Sequence, residues 1–255
     1  MMQKTNLKYQ ASVFLDADSI TPNMKDVTGL IQVLNDRALL PFITQEKSSA
    51  RMGFRSIGGK TQVQLLLLSK RFIYERIVSP PSEPDIGDIE TFCKEATQKL
   101  RGVLSYFERK CYRLALVQEV VLFDLSAEDL EQTTTRLLKL PPTYANNPPF
   151  EWDWRVTSAI KRTFGNCEET LNTITVINKR MGTIVKTENS ANSEEENFFE
   201  EQIWDSLKVT FDINSSHENS IVRFGDEEIA AFFKEAPDWH ENLGNEIFNF
   251  MFKEV

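Results

Sequence analysis

Apolar side chains recur along this chain at two spacings, which predict strands and helices in mixed order. Tyr9 to Asp16 predicts a first strand. Further along, Trp152, Trp154 and Val156 alternate with charged or polar residues, a period of two that is typical of a strand with one solvated face. Between Ile89 and Phe107, apolar residues recur every three or four positions over about five turns and predict a long amphipathic helix.

The same order of elements is predicted twice. A strand, a helix, a meander of antiparallel strands and a closing amphipathic helix can be traced from Tyr9 to Lys110, and a similar series from Tyr112 to Val255. Strands in long meanders, mixed with helices, indicate an α+β fold with mainly antiparallel sheets. We therefore predict two similar α+β halves, residues 1–110 and 111–255. True duplication stays open, because the halves share little sequence.

Local signals mark the element ends. Thr21-Pro22 predicts a helix N-cap followed by proline at the first helical position. Ser126, with Asp129 three residues later, predicts a capping box. Gly58-Gly59 predicts a two-residue hairpin turn between two strands of the first meander.

Two further features belong to the second half. Pro237 lies within the C-terminal helical pattern, where we expect it to kink the helix or divide it in two. The polar, acidic run from Thr187 to Asn197 has no periodicity and predicts a mobile loop.

Charge divides unevenly between the halves. Residues 1–110 carry 16 Lys+Arg and 12 Asp+Glu, whereas residues 111–255 carry 13 and 26, giving the chain a net charge of −9. A protein that binds duplex DNA neutralises many phosphates with cations, and only the first half has a surplus for that purpose. The second half is acidic.

We expect a cytoplasmic protein without membrane contact. The N-terminus has no apolar signal core, and no apolar run approaches the roughly 20 residues needed to span a bilayer. The cysteines Cys93, Cys111 and Cys167 are odd in number and widely spaced, which indicates reduced thiols.

No motif for catalysis, cofactor or metal emerges. The two histidines, His217 and His240, have no convergent ligand pattern and are expected to be surface or capping residues. Cys167 precedes two glutamates, which raise the pKa of a thiol and argue against a nucleophile. Asp16 and Asp18 follow the first strand; a catalytic carboxylate pair is conceivable, but a polar strand end is the simpler interpretation. We predict no catalytic residue, no cofactor and no metal.

A group of cations surrounds the first meander. Arg51 and Arg55 share one strand face, and Lys70 and Arg71 lie in a nearby turn. Such a group can bind phosphates, RNA or an acidic protein surface. The simpler alternative is that these cations discourage edge-to-edge sheet aggregation.

Three segments carry a family resemblance. They are the strand Arg113-Leu-Ala-Leu-Val-Gln-Glu-Val, the alternating strand Leu207-Lys-Val-Thr-Phe-Asp-Ile, and the C-terminal Ile247-Phe-Asn-Phe. The chain resembles a sporadically distributed bacterial family of roughly this length whose function is uncharacterised. The resemblance implies a bacterial or phage-borne cytoplasmic protein that is an accessory or defence-related component, and it adds Arg113 to the candidate binding residues.

These observations lead to a first functional expectation, a non-catalytic protein-interaction or regulatory subunit of the accessory or antitoxin-like kind. The alternative is a nucleic-acid-binding accessory protein that uses the basic first meander. An enzyme is the third possibility. A protein partner is expected, and nucleic acid is the alternative partner of the N-terminal half.

Overall fold

A computed structural model of the chain describes residues 3–56, 61–78, 86–187 and 199–252. The strands are β1 (Gln3–Phe14), β2 (Leu39–Glu46), β3 (Ser49–Ser56), β4 (Thr61–Leu67), β5 (Arg71–Val78), β6 (Arg113–Phe123), β7 (Trp152–Phe164), β8 (Cys167–Thr187) and β9 (Phe199–Ser215). The helices are α1 (Met24–Leu34), α2 (Ile89–Tyr106), α3 (Ala127–Leu137), α4 (Pro142–Asn146) and α5 (Asp226–Phe252).

All nine strands join one antiparallel sheet in the order β2-β3-β4-β5-β1-β6-β9-β8-β7. Strands β1 and β6 occupy its centre, where Ser12 pairs with Ile73 on one side and with Ala115 on the other. The predicted mixture of helices with an antiparallel sheet is confirmed, although the strands form one continuous sheet. Most of the fold is sheet, with the helices layered on it.

The order of elements does recur. In each half the first strand pairs with the last strand of its own meander, β1 with β5 and β6 with β9, and the two first strands pair with each other. The first meander has four strands and the second has three. One hydrophobic cluster contains residues of both halves, including Tyr9 and Phe224. The predicted division at residue 110 stays a prediction.

Helices α2 and α5 pack on the same side of the sheet and against each other. Helix α2 buries Phe92, whose ring centroid lies 5.3 Å from that of Tyr9 on β1 and 5.6 Å from that of Tyr74 on β5. Helix α5 buries Phe232, whose ring lies edge-on to Phe164 of β7 at 5.4 Å. Aromatic pairs at these separations add to the stability that apolar burial provides.

The helix starts follow local capping chemistry. Ser126 and Asp129 form the predicted capping box at α3. The prediction for α1 is wrong: Asn23 is the N-cap, and its side-chain Oδ1 accepts the backbone N–H of Asp26 at 2.9 Å. Asn23 has the extended backbone that an N-cap requires, so Thr21 and Pro22 lie outside the helix.

Helix α5 continues through Pro237 as one helix of 27 residues. Of the two outcomes expected at Pro237, the division is wrong and the kink stays a prediction. Pro237 is buried in the interior, and packing of the flanking turns on the sheet offsets the hydrogen bond that proline cannot donate. Two other predictions fall outside the described residues. The turn at Gly58-Gly59 is one, although its flanking strands pair, with Arg55 opposite Gln64. The loop at 188–197 is the other; Thr187 is the last residue of β8.

Candidate functional site

Alternate residues of a strand point to opposite sides of a sheet, so the register assigns each strand residue to one of two faces. The covered face carries Tyr9, Ala11 and Val13 of β1, and α2 and α5 pack against it. The opposite side we call the open face. Its central part consists of Lys8, Gln10, Ser12, Phe14, Arg71, Ile73, Glu75, Ile77, Arg113, Ala115, Val117, Glu119, Lys208, Thr210, Asp212, Asn214, Asn172, Ile174, Val176 and Arg155.

Amide side chains dominate the middle of the open face. Asn214 of β9 lies between Ala115 of β6 and Asn172 of β8, and the Nδ2 of Asn172 donates to its Oδ1 at 3.2 Å. On β1, Gln10 donates to the hydroxyl of Ser12 at 3.3 Å. Each amide group has both donors and acceptors. Asn214 and Ser12 are 0 % and 1 % exposed, so a partner can reach only the half-buried Gln10 and Asn172 of this group.

Arg113 lies at one end of this region. Its guanidinium carbon is 4.5 Å from the ring centroid of Phe14, and its Nη2 donates to the Oδ1 of Asn214 at 2.9 Å. Phe14 pairs with Arg113 on one side and with the exposed Arg71 on the other. Burial lowers the pKa of Arg113, with a smaller opposing effect from Asp212. The Arg113 guanidinium thus packs on the Phe14 ring, and Arg71 is the strand neighbour of Phe14 on the other side.

Asp212 lies one row inward, between Val117 of β6 and Ile174 of β8. Burial raises the pKa of this carboxyl, while a hydrogen bond donated by Asn214 at 2.9 Å and the charge of Arg113 oppose the rise. A carboxylate held among apolar side chains is poorly hydrated. Such a group binds a donor from a partner more strongly than an exposed carboxylate does.

The remaining charges of the central region are largely paired within the sheet. Lys8 lies 3.1 Å from Glu75, and Lys208 lies 2.7 Å from Glu119. Glu75 also accepts a hydrogen bond from Gln64 of β4. The open face is consequently a mixed-sign surface in which neighbouring cations and anions neutralise each other.

The predicted cations are placed in different environments. Arg51 is only 5 % exposed. Its Nη1 donates to the backbone carbonyl of Ile20 at 3.1 Å, and its Nε lies 3.2 Å from Glu46. Its guanidinium holds the loop that follows β1, because Nη1 donates to the carbonyl oxygens of Ala17 and Asp18 in that loop as well. The structure gives Arg51 an internal role.

Lys70 and Arg55 remain at the surface. The ammonium of Lys70 lies 2.7 Å from Asp18 and 3.2 Å from Asp16, and the hydrogen bonds that Asp16 accepts lower its pKa. These two carboxylates therefore form an ion-paired strand end. Arg55 is exposed, with its guanidinium 4.9 Å from the Phe42 ring. Of the predicted strand residues, Arg51, Arg55, Arg71 and Arg113 have open-face parity, and Arg51 is buried there while Arg55 and Arg71 are exposed.

The histidines differ. His217 lies in an exposed turn, as expected. His240 is 1 % exposed, so the expectation of a surface or capping residue is wrong. Its ring bonds the backbone carbonyl of Leu116 at 3.1 Å, and burial lowers its pKa to about 4. Its spacing of seven from the buried Phe233 and four from the buried Gly244 could have shown this from sequence.

Burial raises the pKa of all three cysteine thiols. Cys93 and Cys111 are buried and free, and desolvation raises the pKa of each. Cys167 is partly exposed, and desolvation followed by the charge of Glu169 raises its pKa as well. The described residues contain no group of three or more His, Cys, Asp or Glu side chains arranged to hold a metal ion.

Helices α3 and α5 are rich in acidic residues. Helices α3 and α5 together carry ten Asp and Glu residues against two Lys and Arg residues. That net of −8 approaches the net charge of the whole chain. The two sides of the molecule thus have different electrostatic character, strongly acidic on the helices and nearly balanced on the open face.

Comparisons with known proteins give no relative for this chain: no family model, no curated protein and no solved structure matches it. Within the described residues, no helix has both the length and the apolarity to cross a bilayer. The case for a function therefore depends on the geometry of the molecule.

Proposed function

We propose that this protein is a non-catalytic accessory or regulatory subunit that binds a protein partner through the open face. The proposal depends on the mixture of apolar and polar side chains in the central part of the open face. There Val117, Ile174 and Val176 are half-buried among amide groups and paired ions. Protein interfaces combine an apolar, water-excluding centre with satisfied polar groups around it.

The charge pattern favours a protein over a polyanion. Nucleic-acid surfaces present clustered cations that displace counterions from phosphates. On this face Lys8 and Lys208 already bind Glu75 and Glu119, and Asp212 offsets Arg113. A partner with alternating donors and acceptors of its own complements such a surface better than a uniform array of phosphates does.

The proposed setting is a bacterial or phage-borne accessory, antitoxin-like or defence component in the cytoplasm, as the family resemblance implies. The three free cysteines support a reducing compartment, since Cys93 and Cys111 are buried as thiols. In this setting the protein stabilises or restrains a catalytic partner.

The test compares two apolar-to-arginine changes at different places. Val117→Arg with Ile174→Arg disrupts the open face, whereas Val33→Arg changes an exposed residue of α1 on the helix side. Tagged wild-type and variant proteins are purified from the native host, and the bound proteins are quantified by mass spectrometry. We expect a partner bound by wild type and Val33→Arg and lost from the double variant, with each variant's fold checked by circular dichroism. Equal recovery of all bound proteins with the double variant contradicts the proposal.

A second candidate function is nucleic-acid binding, and the row Arg71, Phe14 and Arg113 favours it. Guanidinium groups beside an aromatic ring can contact phosphates and stack on a base. The test measures binding of a short single-stranded RNA and of a DNA duplex to the protein. Fluorescence anisotropy at several salt concentrations gives the affinities. Arg55→Glu with Arg71→Glu should weaken binding and its salt dependence, whereas Lys25→Glu with Lys94→Glu on α1 and α2 should not. Binding unaffected by the first pair counts against this function.

A further inference from the structure

A polar cavity of about 320 Å³ lies on the covered side of the sheet, between its centre and helix α5. Tyr9 of β1, Gln118 of β6 and Phe211 of β9 form its floor, and His240 and Glu241 of α5 line it from above. The start of α2 closes one end. Its size is near the lower limit of about 300–1,000 Å³ for small-molecule pockets. The cavity can hold one small ligand.

His240 lines this cavity and has one ring nitrogen without a hydrogen-bond partner among the described residues. Its Nε2 lies 3.1 Å from the carbonyl oxygen of Leu116, so Nε2 carries the hydrogen and Nδ1 has a bare lone pair. Within the described part of the chain, Nδ1 is buried and has no hydrogen-bond partner. Burial lowers the pKa of His240 to about 4, so the ring is neutral near pH 7. Buried acceptors are nearly always paired, which makes this one informative.

The other groups are also mainly acceptors. Gln118 donates its Nε2 to the Oδ1 of Asn6 at 2.9 Å, which leaves its Oε1 as an acceptor. Three carboxylates border the cavity, at Asp88, Glu90 and Glu241, against one lysine, Lys4. Burial lowers the pKa of Lys4, and the nearby charge of Glu241 opposes this shift. The border of the cavity therefore has a net negative charge, while Lys4 and the amide groups of Asn6 and Asn245 are its donors.

We propose that this cavity binds a small aliphatic amine through its protonated ammonium group. An ammonium group has three donors and no acceptor, which matches His240 Nδ1, Gln118 Oε1 and the Glu241 carboxylate. The methylene chain of the ligand packs on Phe211 and Pro237, the apolar part of the lining. The positive charge of the ligand compensates the carboxylates around the cavity. This site is independent of the open face, and the proposal does not depend on the function given above.

The experiment uses three molecules with the same four-carbon chain: putrescine, 1,4-butanediol and succinate. Binding to the full-length protein is measured by titration calorimetry and by the shift in melting temperature, at constant ionic strength and pH 7.5. We expect putrescine to bind and to raise the melting temperature, and the neutral diol and the dianion to do neither. Spermidine tests whether the cavity accepts a longer amine.

Three variants locate the ligand. His240→Leu and Gln118→Leu each remove one acceptor and should weaken putrescine binding by about tenfold or more. Glu241→Gln removes one negative charge and should weaken it by a smaller factor. Glu246→Gln is the matched control, because Glu246 lies on the same helix outside the cavity and should leave binding unchanged. Gln118→Leu keeps the test valid should His240→Leu fail to fold.

Either of two results overturns the proposal. One is the absence of putrescine binding up to about 10 mM, the range of very weak affinity. The other is a lack of selectivity among the variants. Putrescine affinity is then unchanged in His240→Leu or Gln118→Leu, or it falls as much in Glu246→Gln as in these two variants. That second result identifies non-specific attraction of an amine to the acidic helix surface.

Discussion

The covered and open faces use the same strands and yet carry opposite chemistry. Tyr9 and Val13 on the covered face are almost fully buried under helix residues, whereas Gln10 and Phe14 beside them on β1 are half-buried. Helices remove apolar surface from water on one side only. The covered face therefore provides most of the stability. On the open face Ser12, Ala115 and Asn214 are buried as well, so recognition there would use the half-buried residues around them.

The largest expected difference between the faces concerns Phe92 of α2. Phe92→Ala removes a ring that packs on Tyr9 and Tyr74, and large aromatic-to-alanine changes in cores cost about 3–5 kcal/mol of unfolding free energy. Val117→Ala on the open face should cost about 1 kcal/mol or less, because Val117 is only half-buried. Urea denaturation measures both. Equal losses would show that the open face is part of a core.

The second prediction concerns pH and the covered side. The pKa of His240 is about 4 in the folded protein, below the ordinary value of 6.5, so the unfolded chain binds the proton more readily. Its contribution to stability is fully present above pH 6.5 and is lost as the pH falls through 4. The loss is about 3 kcal/mol. Unfolding free energies of wild type and His240→Leu between pH 7.5 and 4 should diverge by this amount, whereas parallel curves contradict it.

The third prediction compares two arginines on strand β3. Arg51→Ala leaves the Ile20 carbonyl without its donor and leaves Glu46 with Ser69 as its remaining hydrogen-bond donor, which should cost about 2–3 kcal/mol. Arg55→Ala removes an exposed cation beside Phe42 and should cost less than about 1 kcal/mol. Chemical denaturation of the two variants gives the comparison. Similar costs would contradict the internal role of Arg51.

The smallest effect is expected for an ion pair of the open face. Lys208→Ala breaks the 2.7 Å contact with Glu119, and partly exposed pairs contribute about 0.2–1 kcal/mol. Salt should diminish the difference between wild type and variant, because it screens exposed charges. Thermal unfolding at low and high salt measures this. A loss that is large and insensitive to salt would mean that the pair is shielded from solvent.

Sequence periodicity predicted the local elements well where burial is one-sided. The apolar stripe of α2 coincides with the residues that it buries, and Ser126 caps α3 as its side-chain chemistry requires. At β7 the alternation was less informative. Val156 lies on the same face of β7 as the buried Trp152 and yet is 44 % exposed. The reason is that β7 is the edge strand and the helix layer covers mainly its ends.

Tertiary placement was not predictable in the same way. The burial of Arg51 depends on the loop after β1, which lies more than 30 residues earlier in the chain. The pairing of β1 with β6 joins segments about 100 residues apart, and no local signal encodes it. Among the candidate binding residues, Arg71 and Arg113 come together across Phe14 only because the register of three strands aligns them.

The central pairing of β1 with β6 has a consequence for biosynthesis. Strand β1 leaves the ribosome about 100 residues before β6, and during that interval one of its edges has hydrogen-bonding groups without a strand to satisfy them. An unpaired strand edge is a place at which partly folded chains associate, so slower elongation through the second half would lengthen the exposure of β1.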